Sequence, residues 1–148
     1  MTNSAAGAEG GVGTWRSWLR EGRQDVFVSE HGVYADKVHK YAPPPWRMFD
    51  ALVHERDRWL RVQDREVDPG VIKAERPTLV VWGSLWPVSP GDTIEFQLSP
   101  ADGGTAIRFI WYSASPPDER GVGLVRQKLN RALGEDLRAW VDTQVPFA

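Results

Sequence analysis

The clearest alternation of apolar and polar residues lies in residues 92–113. Two runs there repeat with a period of two, which is typical of β-strands with one buried face. Residues 99–104 separate the runs with a proline, an aspartate and two glycines, which favour a turn. The pattern predicts a long hairpin. Its two faces are Ile94, Phe96, Leu98, Thr105, Ile107, Phe109 and Trp111 on the side toward the core, and Glu95, Gln97, Arg108 and Tyr112 on the outward side.

The apolar period becomes helical in residues 118–143. One stripe carries Val122, Val125, Leu129, Leu133, Leu137 and Trp140, so an amphipathic helix is predicted to pack on the hairpin. Ser115 is the predicted N-cap, since the two prolines after it suit a first helical turn. Gly134 interrupts the helix, and a glycine there costs about 1 kcal/mol relative to alanine. This position therefore indicates a close approach to another element or a kink.

The upstream segments predict shorter elements. Residues 33–41 mix β-branched and aromatic residues with charged ones and predict a strand with one solvated face. Pro45 begins a helix that carries Trp46, Phe49, Leu52 and Val53 on one stripe. A helical turn at residues 56–61 and short strands at residues 26–28, near Val67 and at residues 71–74 are also predicted. The four apolar residues 79–82 predict a strand that is covered on both faces.

The N-terminal segment has a different composition. Residues 1–14 are mostly small or glycine, and such a segment buries too little apolar surface to offset the entropy lost on ordering. Trp15, Trp18 and Leu19 have the spacing of one face of a short helix. The expected organisation is a flexible tail with a short helix at residues 1–24, followed by a single domain at residues 25–148.

Composition narrows the classes of function. The chain has 148 residues, a formal net charge of -2 and no cysteine. A nucleic-acid partner and a disulfide framework are therefore not expected. The first residues lack the basic and apolar regions of a signal peptide, and no apolar run approaches the ~20 residues that span a bilayer. A cytoplasmic location is the expectation. The chain has 8 tryptophans, which serve either as core residues or as walls for flat apolar ligands.

The sequence offers few candidates for catalysis. Nucleophile-elbow, phosphate-loop, dinucleotide and zinc-protease motifs are absent. His31, His39 and His54 lack metal-binding spacing, so no metal, cofactor or catalytic residue is predicted. Two residue pairs are weaker candidates, namely Asp50 with His54 on a helix and Arg108 with Glu95 across the hairpin. Lys128 and Arg131 are two more, since they could reach a cavity from the last helix and hold a carboxylate or enolate. A solvated surface role is the more common one for each.

The order of these segments resembles the START-like superfamily, which has the helix-grip fold of pollen allergens, polyketide cyclases and heat-shock chaperone activators. The resemblance spans residues 33–142. It is carried by Ala42-Pro43 with Trp46, Phe49, Ala51 and Leu52, then Trp59, Glu75-Arg76-Pro77, Leu79-Val80-Val81-Trp82, Ile94-Glu95-Phe96-Gln97-Leu98, Gly103-Gly104-Thr105 and the closing helix. The resemblance implies an α+β fold in which a curved antiparallel sheet wraps around the long C-terminal helix, with short helices after the first strand.

The resemblance also implies that a hydrophobic small molecule, such as a lipid or polyketide, binds between the sheet and the last helix. The expected ligand-contacting residues are Phe49, Trp59, Trp82, Phe96, Ile107, Phe109, Trp111, Val125, Leu129 and Leu133. Two alternatives stay open. One is a cyclase or aromatase enzyme, and the other is an interaction domain without a ligand. A homodimer or protein partner would then bind through the apolar loop at residues 83–90, which contains Trp86, or through Trp15 and Trp18.

Two departures from the family pattern affect the expected cavity. The segment between Trp59 and Leu79 is short for the family sheet, so a strand pair is expected to be shortened or missing. Gly123-Leu124 stands where many relatives carry a bulky aromatic residue that closes the cavity. The cavity is therefore expected to be small or open on one side.

Overall fold

The computed structural model describes residues 18–20, 23–25 and 32–144. The chain divides into two compact units, one of residues 1–32 with residues 113–115, and one of residues 33–112 with residues 116–148. In the first unit, β1 (Trp18–Arg20) pairs antiparallel with β2 (Arg23–Asp25). Trp18 and Leu19 thus lie in a strand, and the helix predicted there is wrong. The strand predicted at residues 26–28 lies outside the described residues, as does Trp15.

The second unit contains a curved five-stranded sheet. Its strands are β3 (Gly32–Tyr41), β4 (Val71–Glu75), β5 (Leu79–Trp82), β6 (Thr93–Ala101) and β7 (Gly104–Ser113), in the spatial order β3-β7-β6-β5-β4. Neighbouring strands from β4 to β7 pair antiparallel. The segment between Trp59 and Leu79 holds one strand, β4, and the strand predicted near Val67 is absent there.

The predicted hairpin is confirmed as β6 and β7, although its turn is tighter than expected. Asp102 and Gly103 have φ values of 52° and 81°. Two successive left-handed residues form the two-residue turn that matches the twist of antiparallel strands. Pro100 and Ala101 therefore belong to β6 and pair with Thr105 and Gly104.

Two short helices follow β3. They are α1 (Pro45–Val53) and α2 (Arg56–Trp59). Both helices were predicted, but Trp46 is 46% exposed, whereas Met48, Phe49, Ala51 and Leu52 form the buried face. The stripe is thus rotated toward Met48, and Trp46 does not belong to it.

The C-terminal helix is continuous but not uniform. It comprises α3 (Glu119–Arg131), a π-helical segment (Ala132–Leu137) and α4 (Arg138–Asp142). Asp118 is the N-cap, since its carboxylate accepts a hydrogen bond from the Gly121 amide at 2.8 Å, so the predicted cap at Ser115 is wrong. No helix of the described chain is both long and apolar enough to cross a membrane.

Candidate functional site

The ten expected ligand-contacting residues form or adjoin the core of the second unit. Ile94 pairs with Trp111, Phe96 with Phe109 and Leu98 with Ile107 across the hairpin, and all six side chains are buried. Phe49, Trp59, Trp82, Leu129 and Leu133 belong to the same buried cluster, and Val125 packs against it. These side chains therefore contact one another across the space where the resemblance implied a ligand.

The buried tryptophans satisfy their indole N–H groups within the protein. Trp59 donates to the Ala51 carbonyl at 2.9 Å, and Trp82 donates to the Leu52 carbonyl at 3.0 Å. Trp111 donates to the buried Asp92 carboxylate at 3.0 Å. Because a buried N–H group without an acceptor is costly, these bonds fix the rings as parts of the core.

An open groove lies between β3 and α3. It has a volume of about 360 Å³ and is called here the β3–α3 groove. Of the expected ligand-contacting residues, it includes Phe109. Its lining residues are Val33, Tyr34, Ala35, Asp36, Lys37, Phe109, Arg126 and Asn130.

Aromatic neighbours hold the two rings of the groove in place. The Tyr34 ring lies 5.8 Å from the ring of the buried Trp111. The Phe109 ring stacks nearly parallel on the His39 imidazole, with centroids 5.9 Å apart. Since both contacts involve packed side chains, the apolar part of the groove is preformed.

Charged side chains of β3, β7 and α3 surround the groove. Arg108 donates two hydrogen bonds to the Asp36 carboxylate, at 2.8 and 2.6 Å. This guanidinium lowers the pKa of Asp36 below its usual value. Arg126 donates from Nε to the Tyr34 carbonyl at 2.5 Å, which ties α3 to β3. Arg108 thus forms its hydrogen-bonded ion pair with Asp36, and the charge of Glu95, its predicted partner, makes a smaller favourable contribution.

His39 lies beside the groove in contact with two of its residues. Its Nε2 is 3.3 Å from Asn130 Oδ1, and its ring stacks on Phe109. Burial lowers the pKa of His39, and the positive charges of Lys37 and Arg138 add to this, while the hydrogen bond with Asn130 opposes it. The imidazole is consequently neutral at pH 7.

A second open pocket lies between α2 and the end of the C-terminal helix. Its volume is about 460 Å³. Trp59 and Trp140 contribute apolar surface, and the Trp140 indole N–H donates to Glu55 Oε1 at 3.0 Å. The other lining residues are Asp57, Arg58, Leu60, Arg61, Asp136, Ala139 and Thr143.

Of the remaining polar candidates, Asp50 and Lys128 are engaged elsewhere, and His54 and Arg131 are exposed and line neither pocket. Asp50 accepts from Arg76 at 2.7 Å, so its carboxylate is held by a guanidinium rather than by His54. Lys128 pairs with Glu66 at 3.0 Å and donates to the Arg61 carbonyl, which joins α3 to the loop after α2. Within the described residues, no three His, Asp or Glu side chains are grouped so that they could hold a metal ion.

Sequence reasoning missed most residues of the β3–α3 groove. Arg126 and Asn130 are four residues apart on α3 and therefore share a helix face. That spacing could have predicted that the two polar side chains lie in one site. Tyr34 and Lys37 lie in a strand whose mixture of aromatic and charged residues predicted a solvated face. The sequence does not show that this strand and α3 leave space between them, because that depends on tertiary packing.

No protein-family model matches the sequence, and no curated protein is similar enough to match it. Solved structures do resemble the fold. CalU16 from Micromonospora echinospora has a TM-score of 0.57 and 18% identity, with 72% of each chain covered. The Aha1 dimer from Colwellia psychrerythraea has a TM-score of 0.56 and 19% identity, with 66% of this chain and 88% of that chain covered. Protein MLL2253 from Mesorhizobium loti has a TM-score of 0.58 and 18% identity, with 76% and 98% covered.

These similarities establish the fold that the sequence resemblance implied. The second unit has the helix-grip architecture, with a curved antiparallel sheet and a long C-terminal helix. At identities below a fifth, the likeness extends to the fold and not to an activity.

Proposed function

We propose that the protein binds a small, largely apolar molecule in the β3–α3 groove. The observation that carries this proposal is an open space of about 360 Å³ between the sheet and the last helix, with Tyr34 and Phe109 among its lining residues. Small-molecule sites in proteins usually have volumes of roughly 300–1,000 Å³ and combine apolar walls with a few polar groups. The groove lies at the lower end of that range.

The packing of the hairpin supports a small ligand rather than a large one. Phe96, Trp111 and Leu133 are almost fully buried against other core side chains. A ligand that separated them would expose apolar surface and disrupt close packing, which is energetically costly. Binding in the groove avoids that cost, because the walls there already face open space.

The geometry gives less support to the two alternative functions, the enzyme and the interaction domain. The enzyme hypothesis would gain support from an acid–base side chain such as Asp50, His54 or Glu66 in a pocket. None of the three lines either pocket described above. Asp50 and Glu66 are bound by Arg76 and Lys128, and His54 is exposed. The interaction hypothesis relied partly on the loop at residues 83–90. There Trp86 packs against the core near Trp111, so the large exposed side chain is Val88, which is 92% exposed.

A dye-binding experiment tests the groove directly. N-phenyl-1-naphthylamine is a neutral aromatic probe whose fluorescence rises in apolar sites. We expect the wild-type protein to bind it and Val33→Trp to lose most of that binding, because a larger side chain at residue 33 would fill part of the groove. Val33 is 53% exposed, so this change should not disturb the fold.

Val38→Trp is the matched control. Val38 lies on the same strand and is 51% exposed, but it does not line the groove. We expect it to bind the dye as the wild type does. Equal loss in both variants, or no loss in either, would refute the groove as the site. Native mass spectrometry of protein isolated from its own host should in addition show a bound small molecule.

A further inference from the structure

The side chains that line the β3–α3 groove offer a ligand more positive than negative charge. The one carboxylate in its lining belongs to Asp36, and Arg108 already neutralises it through two hydrogen bonds. Lys37 and Arg126 also line the groove. Within the described chain, neither has a carboxylate partner. Among the described residues, the groove therefore carries two positive charges that no carboxylate balances, although the formal net charge of the protein is -2.

Arg126 is held in a position that suits anion binding. Its Nε donates to the Tyr34 carbonyl, which fixes the guanidinium over the groove. The two terminal nitrogens are not used in that bond, and a guanidinium binds carboxylate, phosphate and sulfonate oxygens through such paired donors.

Asn130 adds a neutral donor to the same groove. It lies one helical turn after Arg126, and its Oδ1 is the acceptor of the contact with His39 Nε2. That arrangement leaves the amide N–H groups available to a ligand oxygen. Lys37, Arg126 and Asn130 thus provide hydrogen-bond donors around one space.

Aromatic surface lies beside these donors. Tyr34 and Phe109 line the groove, and the stacking of Phe109 on His39 keeps its ring in place. Planar ligands gain from contact with such rings in addition to their buried area. We infer from this geometry that the groove selects a planar aromatic ligand with a single anionic group. Tyr34 and Phe109 would contact its rings, and Arg126 and Lys37 its anion. This inference rests on the function proposed above.

Two dyes with the same rings test this inference. The probe 8-anilino-1-naphthalenesulfonate has the skeleton of N-phenyl-1-naphthylamine with a sulfonate added. We expect the anionic dye to bind the wild-type protein more tightly than the neutral one. Arg126→Gln should weaken the anionic dye by about fivefold to tenfold, in line with a charge-assisted hydrogen bond, and change the neutral dye by less than about twofold. Lys37→Gln should likewise weaken binding of the anionic dye more than binding of the neutral dye.

Arg131→Gln is the matched control. It removes the same charge from the same helix, but Arg131 is exposed and outside the lining of the groove. We expect it to leave both affinities within about twofold, since exposed charges at a distance are screened. Equal weakening by Arg131→Gln and Arg126→Gln would overturn the inference, because the effect would then come from net charge alone.

The two proposals fail in different ways. If both dyes bind equally and Val33→Trp removes both, the groove binds apolar molecules without preference for an anion, and the inference is wrong. If neither dye responds to Val33→Trp, the groove is not the site and both proposals fail. If Arg126→Gln weakens only the anionic dye while Arg131→Gln has no effect, both are supported.

Discussion

Tyr41 joins the sheet to the last helix through a single buried hydroxyl. It donates to the Leu133 carbonyl at 2.7 Å, and burial raises the pKa of this phenol above its usual value. The Arg138 guanidinium lies 5.1 Å from the centre of its ring. The side chain is therefore held at both its polar tip and its aromatic face.

Tyr41→Phe should destabilise the protein by about 1–2 kcal/mol. The change removes one hydrogen bond and leaves the Leu133 carbonyl without its side-chain donor in a buried place. Urea unfolding followed by circular dichroism would measure the loss. Tyr34→Phe is the control, since the Tyr34 ring is only partly buried. A loss of equal size in both variants would contradict this role for the Tyr41 hydroxyl.

His39 should make the stability of the protein depend on pH. Burial lowers its pKa in the folded state, so the unfolded chain binds a proton more readily. The stability that depends on neutral His39 is thus present above pH 6.5 and is lost as the pH falls through the lower, folded value. Lys37 and Arg138 face the ring and disfavour its protonation, and Asn130 favours it.

Measurements of unfolding free energy between pH 7.5 and pH 5 would test this dependence. We expect His39→Asn to give a shallower decline than the wild type over that interval, since asparagine does not titrate. His54→Asn is the comparison, because it removes an exposed imidazole that does not line the groove. A wild-type slope in His39→Asn would contradict the assignment.

At single positions, the alternation in the hairpin predicted which side chains enter the core, but it did not predict what covers the other face. Phe96 and Ile107 are buried as predicted. Glu95 was predicted to face outward, yet it is only 3% exposed and accepts a hydrogen bond from Gln97 at 2.6 Å. Period two separates the two faces of a strand, and it carries no information on whether the polar face meets water.

The C-terminal helix shows how one glycine shapes an element. The sequence predicted a close approach or a kink at Gly134, and the structure has both a π-helical segment and the His39 ring there. The Leu133 and Gly134 carbonyls accept hydrogen bonds from the side chains of Tyr41 and Arg138. Side-chain donors thus support the backbone where the helix widens, as expected for a π-helical turn.

Gly134→Ala should destabilise the protein by about 1 kcal/mol even though alanine favours helices. The new methyl group would lie 3.1 Å from His39 Cε1, and the His39 ring cannot easily move because it stacks on Phe109. The steric cost should exceed the helical gain of about 1 kcal/mol.

A double-mutant cycle tests that explanation. In a His39→Ala background, the same Gly134→Ala change should become neutral or stabilising, since the obstructing ring is absent. Gly123→Ala is the matched control in α3, where an added methyl group meets no atom within 4 Å, and it should stabilise the protein. If Gly134→Ala is equally harmful in both backgrounds, backbone geometry and not the His39 ring is responsible.

Element ends were less predictable than element types. Ser115 was the predicted N-cap because the prolines after it suit a helical first turn. Proline, however, disfavours helical backbone in the residue before it, which moves the start of α3 beyond Pro117. The conformational restriction imposed by Pro116 and Pro117 thus explains why Asp118, and not Ser115, caps the helix.

For the whole molecule, the order of elements was sufficient to predict the helix-grip fold. Two long strands that are joined by a tight turn and followed by a long helix can pack in only a few arrangements. The position of the groove was not predictable, because it depends on how far β3 lies from α3. Contacts such as the one from Arg126 to the Tyr34 carbonyl join residues 92 positions apart in the sequence.

Removal of residues 1–24 should leave a chain that still unfolds cooperatively. The buried core cluster of the described residues extends from Tyr41 to Val141 and includes no residue of the removed segment. Removal of residues 1–17 alone should change the unfolding free energy by less than about 0.5 kcal/mol, because residues 1–14 are mostly small or glycine and Trp15 is the one large apolar side chain removed. The chain that begins at residue 18 keeps β1 and β2 complete, so comparing it with the chain that begins at residue 25 isolates their contribution to stability.

Sedimentation of the full chain and of the two shortened chains would also test self-association through Trp15 and Trp18. A broad, non-cooperative transition in the chain that begins at residue 25 would show that the expected boundary after residue 24 divides a folded unit.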